Sequence, residues 1–313
     1  MHFLTLVANE DGYVDDKLER FYEQTEDENL LEFMDETEEY KQEYETPITA
    51  VRLLNGKIVE TCDDRFYRDY TLKNNRIYKR DWGKNNIDKR TKKAKKMKVL
   101  QNYSLKNIYK TFDEFADKGR YLIYHAKEDA YGYYYNPDAQ WDWYVIGGRY
   151  ADLILVKENV TDVNENESFS RYKEEKRKAP KGYKWVSGAK KCDIQWDLMK
   201  RMEVKQAVRS YYKYKEMYET SNLGNDKAFK IEDDRLMYWG NVKYIKNETL
   251  KDFCTRKHLD RSKYSLACYS FIDEEGEWNE CEEMSKAEWC EKVKKFILGL
   301  DDESYITCVD CHI

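Results

Sequence analysis

A thiol, a carboxylate and an imidazole alternate near the end of the chain as Cys308, Asp310 and His312, with Cys311 between them. In a strand, alternate residues share a face, so these three would stand together while Cys311 turned the other way. Such a trio could form part of a metal site or pair a nucleophile with its base. If the first strand lies beside the last, His2 approaches His312 and either chemistry gains a second imidazole. The plainer reading is structural and is preferred here. Cys308 then packs as a small apolar group, while Asp310 and His312 find hydrogen-bond partners within the protein, as buried polar groups must. No second spaced pair of ligands accompanies the trio, so no metal and no cofactor are expected.

Two other groups carry chemical potential. Asp64-Arg65-Phe66-Tyr67-Arg68-Asp69 alternates acids and arginines around two rings. Arg65 and Arg68 could grip a phosphate, or the acids could neutralise them in an ion-pair cluster that orders a loop. In the run Asn136 to Arg149, NPDAQWDWYVIGGR, Asn-Pro opens a turn and Trp141 to Ile146 has strand composition. Gly147-Gly148 then lets the backbone take positive φ ahead of Arg149. Arg149 could hold a phosphate or an acidic ligand while Trp141, Trp143 or Tyr144 offers a stacking face, a combination suited to a nucleotide or single-stranded RNA. Alternation puts Trp141 and Trp143 on one face and Asp142 and Tyr144 on the other, so at least one pair belongs to the core. The chain shows no phosphate loop, HExxH helix, nucleophile elbow or kinase motif.

The elements that must position these residues are legible in outline. Met1 to Ala8 alternates as a strand, and Val14 to Tyr44 reads as acidic helices. Asn55-Gly56 marks a hairpin in the segment Ile48 to Val59. Asn102 to Lys118 reads as helix. Tyr121 to Ala126, Tyr131 to Tyr135, Trp141 to Ile146 and Ala151 to Lys157 read as four short strands of an antiparallel meander, the expected central sheet. Polar residues dominate Glu158 to Lys181, which reads as a linker or mobile loop. A long helix follows from Asp193 to Tyr218, stopped at Asn222-Leu223-Gly224-Asn225. Ser285-Lys286-Ala287-Glu288 has capping-box spacing, with Trp289, Val293, Phe296, Ile297 and Leu300 on one face behind it. The expected class is α+β, a central antiparallel sheet with helices on its face and a partly mobile polar insertion. Residues 1–157 would form an N-terminal α+β lobe, 158–192 a polar linker or loop, and 193–313 a helical lobe whose last strand returns to the sheet.

Several of these segments resemble one protein family, encoded mostly by tailed bacteriophages. The resemblance rests on Met1-His2-Phe3-Leu4-Thr5-Leu6-Val7, Tyr44-Glu45-Thr46, Asp64 to Asp69, Asn136 to Arg149 and the closing Val309-Asp310-Cys311-His312-Ile313. Lys191-Cys192-Asp193-Ile194 with Trp196-Asp197 also resembles the family, with Cys192 standing where glycine is usual. The resemblance implies a phage origin and brings no particular activity. Abundant Lys, Asn and 28 Tyr beside 3 Pro fit a low-GC genome, and with the resemblance point to a phage of a Gram-positive host.

Charge is segregated. Glu10 to Glu45 holds 16 acidic against 3 basic residues, a balance of −13, whereas Lys73 to Lys98 holds 12 basic against 2 acidic, a balance of +10. The net charge of −6 conceals this. Lys89, Arg90, Lys92, Lys93, Lys95 and Lys96, with Tyr78, Trp82, Tyr103 and Tyr109 around them, could neutralise phosphates and stack bases; a solvated lysine face is the bland alternative. The acidic block could attract a basic partner or be a solvated helix surface. No apolar run approaches a membrane span of about 20 residues and no signal peptide is evident, so a host-cytoplasmic protein with its 8 cysteines as free thiols is expected.

Two functions compete. The preferred expectation is a phage accessory anti-defence protein, an anti-CRISPR-type inhibitor that binds a host immune ribonucleoprotein, carries bound RNA, and is capable of self-association. The alternative is a small phage hydrolase or nuclease acting on nucleotides or RNA, centred on His312, Asp310, Arg149 and Asp142.

Overall fold

The computed structural model describes residues 1–83, 88–165, 178–224, 227–259, 261–264, 266–282 and 284–313. It is an α+β protein. Its chain groups into two compact units, Met1–Glu26 with Asp138–Ile313, and Asp27–Pro137. These boundaries are drawn elsewhere than the expected lobes. Residues 166–177 of the expected loop lie outside the described residues, and its flanks carry strands, Val163–Asn164 and Tyr183–Val186.

In the first unit the strands His2–Asn9 and Tyr305–His312 lie side by side, antiparallel in unbroken register from His2↔His312 to Asn9↔Tyr305. They are the centre of the main sheet because both are apolar on both faces, the mark of strands covered on each side. On one face Leu4, Leu6, Ala8, Ile306 and Cys308 meet Trp289, Val293 and Ile297 of the helix Lys286–Gly299. On the other, Phe3, Val7, Val309 and Cys311 meet Val14, Leu18, Phe21 and Trp141. Each fully buried Leu, Ile or Val here stabilises by about 1.5–3 kcal/mol. The helix starts where the capping box places it: the Ser285 hydroxyl accepts from Glu288 N–H and the Glu288 carboxylate accepts from Ser285 N–H.

The sheet is mixed rather than purely antiparallel, because Ser270–Ile272 pairs parallel with the first strand. The expected meander does not form. In the second unit Ala130–Tyr135 pairs with Ile123–His125 on one side and with Glu32–Asp35 on the other. Trp143–Ile146 pairs instead with the last strand, and Ile154–Lys157 with Tyr183–Val186. Ala130–Tyr135 does not pair onward with Trp143–Ile146, because the latter packs into the core of the main sheet, with Val145 buried and Ile146 against the cluster of Val309, whereas Tyr133 and Tyr134 stay exposed.

The acidic N-terminal stretch is helical only at Asp15–Glu19, Glu28–Leu30 and Thr37–Glu45, with the strand Glu32–Asp35 between. Like charges four apart, such as Glu28 and Glu32 or Asp35 and Glu39, oppose a continuous helix. Asn102 to Lys118 is likewise divided. Lys98–Tyr103 pairs with Ile48–Arg52, and helical turns resume at Leu105–Asn107 and Phe112–Glu114.

Within the second unit the hairpin of Ile48–Arg52 and Ile58–Glu60 turns at Gly56, φ 85°. The basic helix Lys92–Lys96 is capped by Thr91, whose hydroxyl accepts from Ala94 N–H at 3.2 Å. Ala94 and Met97 anchor it against Val51, Val59, Phe66 and Ile77. Among the described residues no helix is long and apolar enough to cross a membrane.

Candidate functional site

Strand register brings three rings into one row. Trp143 and His2 flank His312 on neighbouring strands, so all three side chains leave the same face. The Trp143 and His312 rings are stacked, with centroids 5.2 Å apart and planes at 16°. The His2 ring meets His312 edge-on at 4.9 Å and Trp143 edge-on at 5.2 Å.

Each imidazole is tied to a carboxylate through the same nitrogen. His2 Nδ1 lies 2.9 Å from Asp310 Oδ1, and His312 Nδ1 lies 2.8 Å from Asp142 Oδ1. An ionised carboxylate only accepts, so in both rings Nδ1 carries the proton and Nε2 is the basic nitrogen. Asp310 is 1% exposed, and its second oxygen accepts the Arg149 backbone N–H at 2.8 Å. His312 Nε2 lies 3.4 Å from the Met1 nitrogen.

The Gly147-Gly148 turn makes this arrangement possible. Gly147 has φ 78° and donates to Cys308 C=O at 2.9 Å; Gly148 has φ 51°. A β-carbon on Gly148 would stand 2.6 Å from Asp310 Oδ2 and 2.6 Å from Val145 Cγ1, so a side chain is excluded by space as well as by backbone conformation. The turn thus delivers the Arg149 amide to Asp310 and leaves the Arg149 side chain exposed.

His2 and Tyr150 also line a cavity of about 520 Å³ with Gln140, Tyr269, Glu280 and Glu282. The Tyr150 hydroxyl donates to His2 C=O at 3.2 Å, and burial followed by the Asp310 charge raises its pKa. Tyr269 donates to Glu282 at 2.7 Å and Trp278 Nε1 to Glu280 at 3.1 Å, so these two acids are held as acceptors.

The structure sorts the residues singled out from the sequence. His2, Asp142, Trp143, Arg149, Asp310 and His312 come together. Trp141 and Trp143 do not share a face. The regular strand begins only at Trp143, and Trp141 is a bridge residue, paired and stacked with Tyr22. Trp141 is therefore core, with Tyr144 edge-on to it at 5.0 Å. Cys308 faces the helix and Cys311 the opposite core; both are fully buried, which pushes their thiols up to about 12 and removes them as nucleophiles at neutral pH. Among the described residues no group of three or more His, Cys, Asp or Glu is arranged to hold a metal ion.

In the second unit Arg65 bonds Asp63, Nε to Oδ1 at 2.8 Å, and Arg68 bonds Asp64 at 2.9 Å, the ion-pair alternative for this motif. Lys89, Arg90, Lys92, Lys93, Lys95 and Lys96 are all exposed. Tyr150, Glu280 and Glu282 were not singled out from the sequence. Tyr150 directly follows the recognised turn, whereas nothing local distinguishes the two acids in a chain with 61 Asp and Glu. No protein-family model, curated protein or solved structure matches this chain.

Proposed function

We propose that the protein is a phage accessory enzyme that cleaves RNA by acid–base chemistry at His2 and His312. The carrying observation is that two imidazoles, 4.9 Å apart, each bind a carboxylate through Nδ1. Transfer of an RNA phosphodiester to the adjacent 2′-hydroxyl needs one base and one acid. One Nε2 takes the hydroxyl proton as the new O–P bond forms, and the other, protonated, gives its proton to the leaving 5′-oxygen as the old bond breaks. Asp310 and Asp142 fix the tautomers and stabilise the imidazolium state, the service a carboxylate gives any catalytic histidine. The exposed Arg149 suits the phosphate, and the cavity acceptors Glu280 and Glu282 suit the donor edge of a base. General acid–base catalysis of this kind contributes about 10²–10⁴ in rate.

The test is cleavage of fluorogenic oligoribonucleotides by the wild type and by His2→Gln and His312→Gln. Turnover reduced by at least about 10²-fold in either variant, with folding retained, supports the reading. Turnover at the wild-type level in both variants, or none by the wild type itself, defeats it.

A second reading keeps the preferred expectation from the sequence: binding and blocking of a host defence ribonucleoprotein, with RNA held on the protein. It is favoured by the basic helix, whose lysines all face solvent while Ala94 and Met97 hold it down. Nucleic acid or a host complex that co-purifies in stoichiometric amount, without turnover, favours this reading.

A further inference from the structure

A second cavity in the same unit has the opposite electrostatic character. The long helix Trp196–Thr220 lines it with Met199, Glu203, Ala207, Ser210 and Tyr214, spaced three or four apart along one face. Leu4, Leu153, Trp185, Phe253 and Leu266 supply apolar walls, and the volume of this open cavity is about 460 Å³. That is the size of a small-ligand pocket, mostly apolar with a few polar groups.

Among the described residues five cations line it, Lys200, Lys243, Lys257, Arg261 and Lys263, against one acid, Glu203. Glu203 is already shared, 3.1 Å from Lys200 and 2.9 Å from Arg261, and Lys263 is held by Asp197 at 2.7 Å. Glu248, whose charge acts on Lys257, is engaged twice by Arg256, at 2.6 and 2.8 Å. Lys243 and Lys257 lie over the Tyr238 and Phe253 rings, and neither is in an ion pair among the described residues. Arg261 Nε is buried and has no hydrogen-bond partner among the described residues. A buried donor without an acceptor is costly, and crowded like charges are too; an anion relieves both. Partial desolvation, with the charges of Arg256 and Lys243, pulls the Lys257 ammonium below its ordinary pKa.

We infer that this cavity binds a nucleoside monophosphate, with its phosphate among Lys243, Lys257 and Arg261 and its ring system against Tyr214 and Trp185. Phosphate oxygens match guanidinium and ammonium donors. Aromatic walls suit a base, and Gln206 and Ser210, which also line the cavity, offer hydrogen bonds to a base edge that an acyl chain would leave unused.

The experiment is calorimetric titration of the full chain with AMP, GMP, CMP and UMP, and with inorganic phosphate, the free nucleosides and a medium-chain fatty acid as probes. At least one nucleotide should bind with Kd below about 1 mM, at least tenfold tighter than any of the other probes. Lys257→Gln at the exposed rim and Arg261→Gln within should each weaken it at least tenfold, while His312→Gln leaves it unchanged. Equal binding of inorganic phosphate or fatty acid overturns the inference, as does no nucleotide binding at millimolar concentration. Loss in His312→Gln but not in Lys257→Gln would place the nucleotide at the His2–His312 pair and overturn it as well. Because His312→Gln separates the histidine pair from the cationic cavity, a failure of the proposed RNA cleavage does not decide this result.

Discussion

His312 and Asp142 hold each other twice: the Asp142 amide donates to the His312 carbonyl at 2.9 Å while the His312 ring binds the Asp142 carboxylate at 2.8 Å. The backbone bond fixes where the acid stands, so the side-chain bond costs little further ordering. Asp142→Asn keeps the shape but offers an amide where only an acceptor serves. RNA cleavage should fall about 10²-fold with the melting temperature nearly unchanged. A melting loss that matches the activity loss would assign Asp142 a structural role.

Gly148→Val should lower stability by about 1–3 kcal/mol, since it places a β-branched residue at positive φ against Asp310 and Val145. A urea titration followed by Trp fluorescence measures this, and Gly56→Val provides contrast: its φ of 85° is also positive but nothing stands within 4 Å of its added β-carbon. Equal losses at the two sites would show that the crowding at Asp310 does not matter.

Replacing Lys89, Arg90, Lys92, Lys93, Lys95 and Lys96 together by Ser should weaken RNA binding across sequences alike and flatten its dependence on salt. Filter binding at several salt concentrations gives both quantities. Unchanged affinity at low salt would mean that these lysines are solvated only.

Ser285→Ala should cost about 1 kcal/mol, the usual value of a lost N-cap, and should loosen the helix that covers Leu6 and Cys308. Hydrogen exchange of the amides from Lys286 to Trp289 should rise first. Exchange spread evenly over the whole helix would show that the cap does not limit its fraying.

The buried thiols set a pH dependence whose sign is fixed. Cys308 and Cys311 keep their protons in the folded state up to about 12, whereas an unfolded thiol loses its proton near its ordinary pKa of about 8.5. A raised folded pKa gives stability that is complete below the unfolded value and is lost as pH rises through the folded one. Urea midpoints should therefore fall between pH 8 and 11, and fall less steeply in Cys308→Ala/Cys311→Ala. Parallel slopes would refute the assignment.

Much of the site could be read from sequence because it lies on strands, where period two fixes the face. Cys308, Asp310 and His312 share the expected face, and the approach of His2 to His312 follows from the pairing of the first strand with the last. Trp141 was misplaced for a local reason: regular pairing starts two residues later, so alternation could not be extended back through Asp142. The meander was misread because adjacency in sequence is weak evidence for pairing when a distant strand buries more. Glu280 and Glu282 gave no signal, since only the tertiary fold carries them to His2. The cationic cavity was hidden for the same reason, its lysines being scattered over the segment from Lys200 to Lys263.

The pairing of the first strand with the last has a consequence for how the protein comes into being. His2 must wait for Asp310, 308 residues downstream, before its imidazole has a partner. At about 5–20 residues per second, translation leaves the opening strand without that neighbour for tens of seconds, its apolar faces exposed to chaperones or to other nascent chains. The main sheet and both dyads close only after the final strand leaves the ribosome. A chain that lacks Tyr305–His312 has neither dyad, since Asp310 and His312 both lie on that strand.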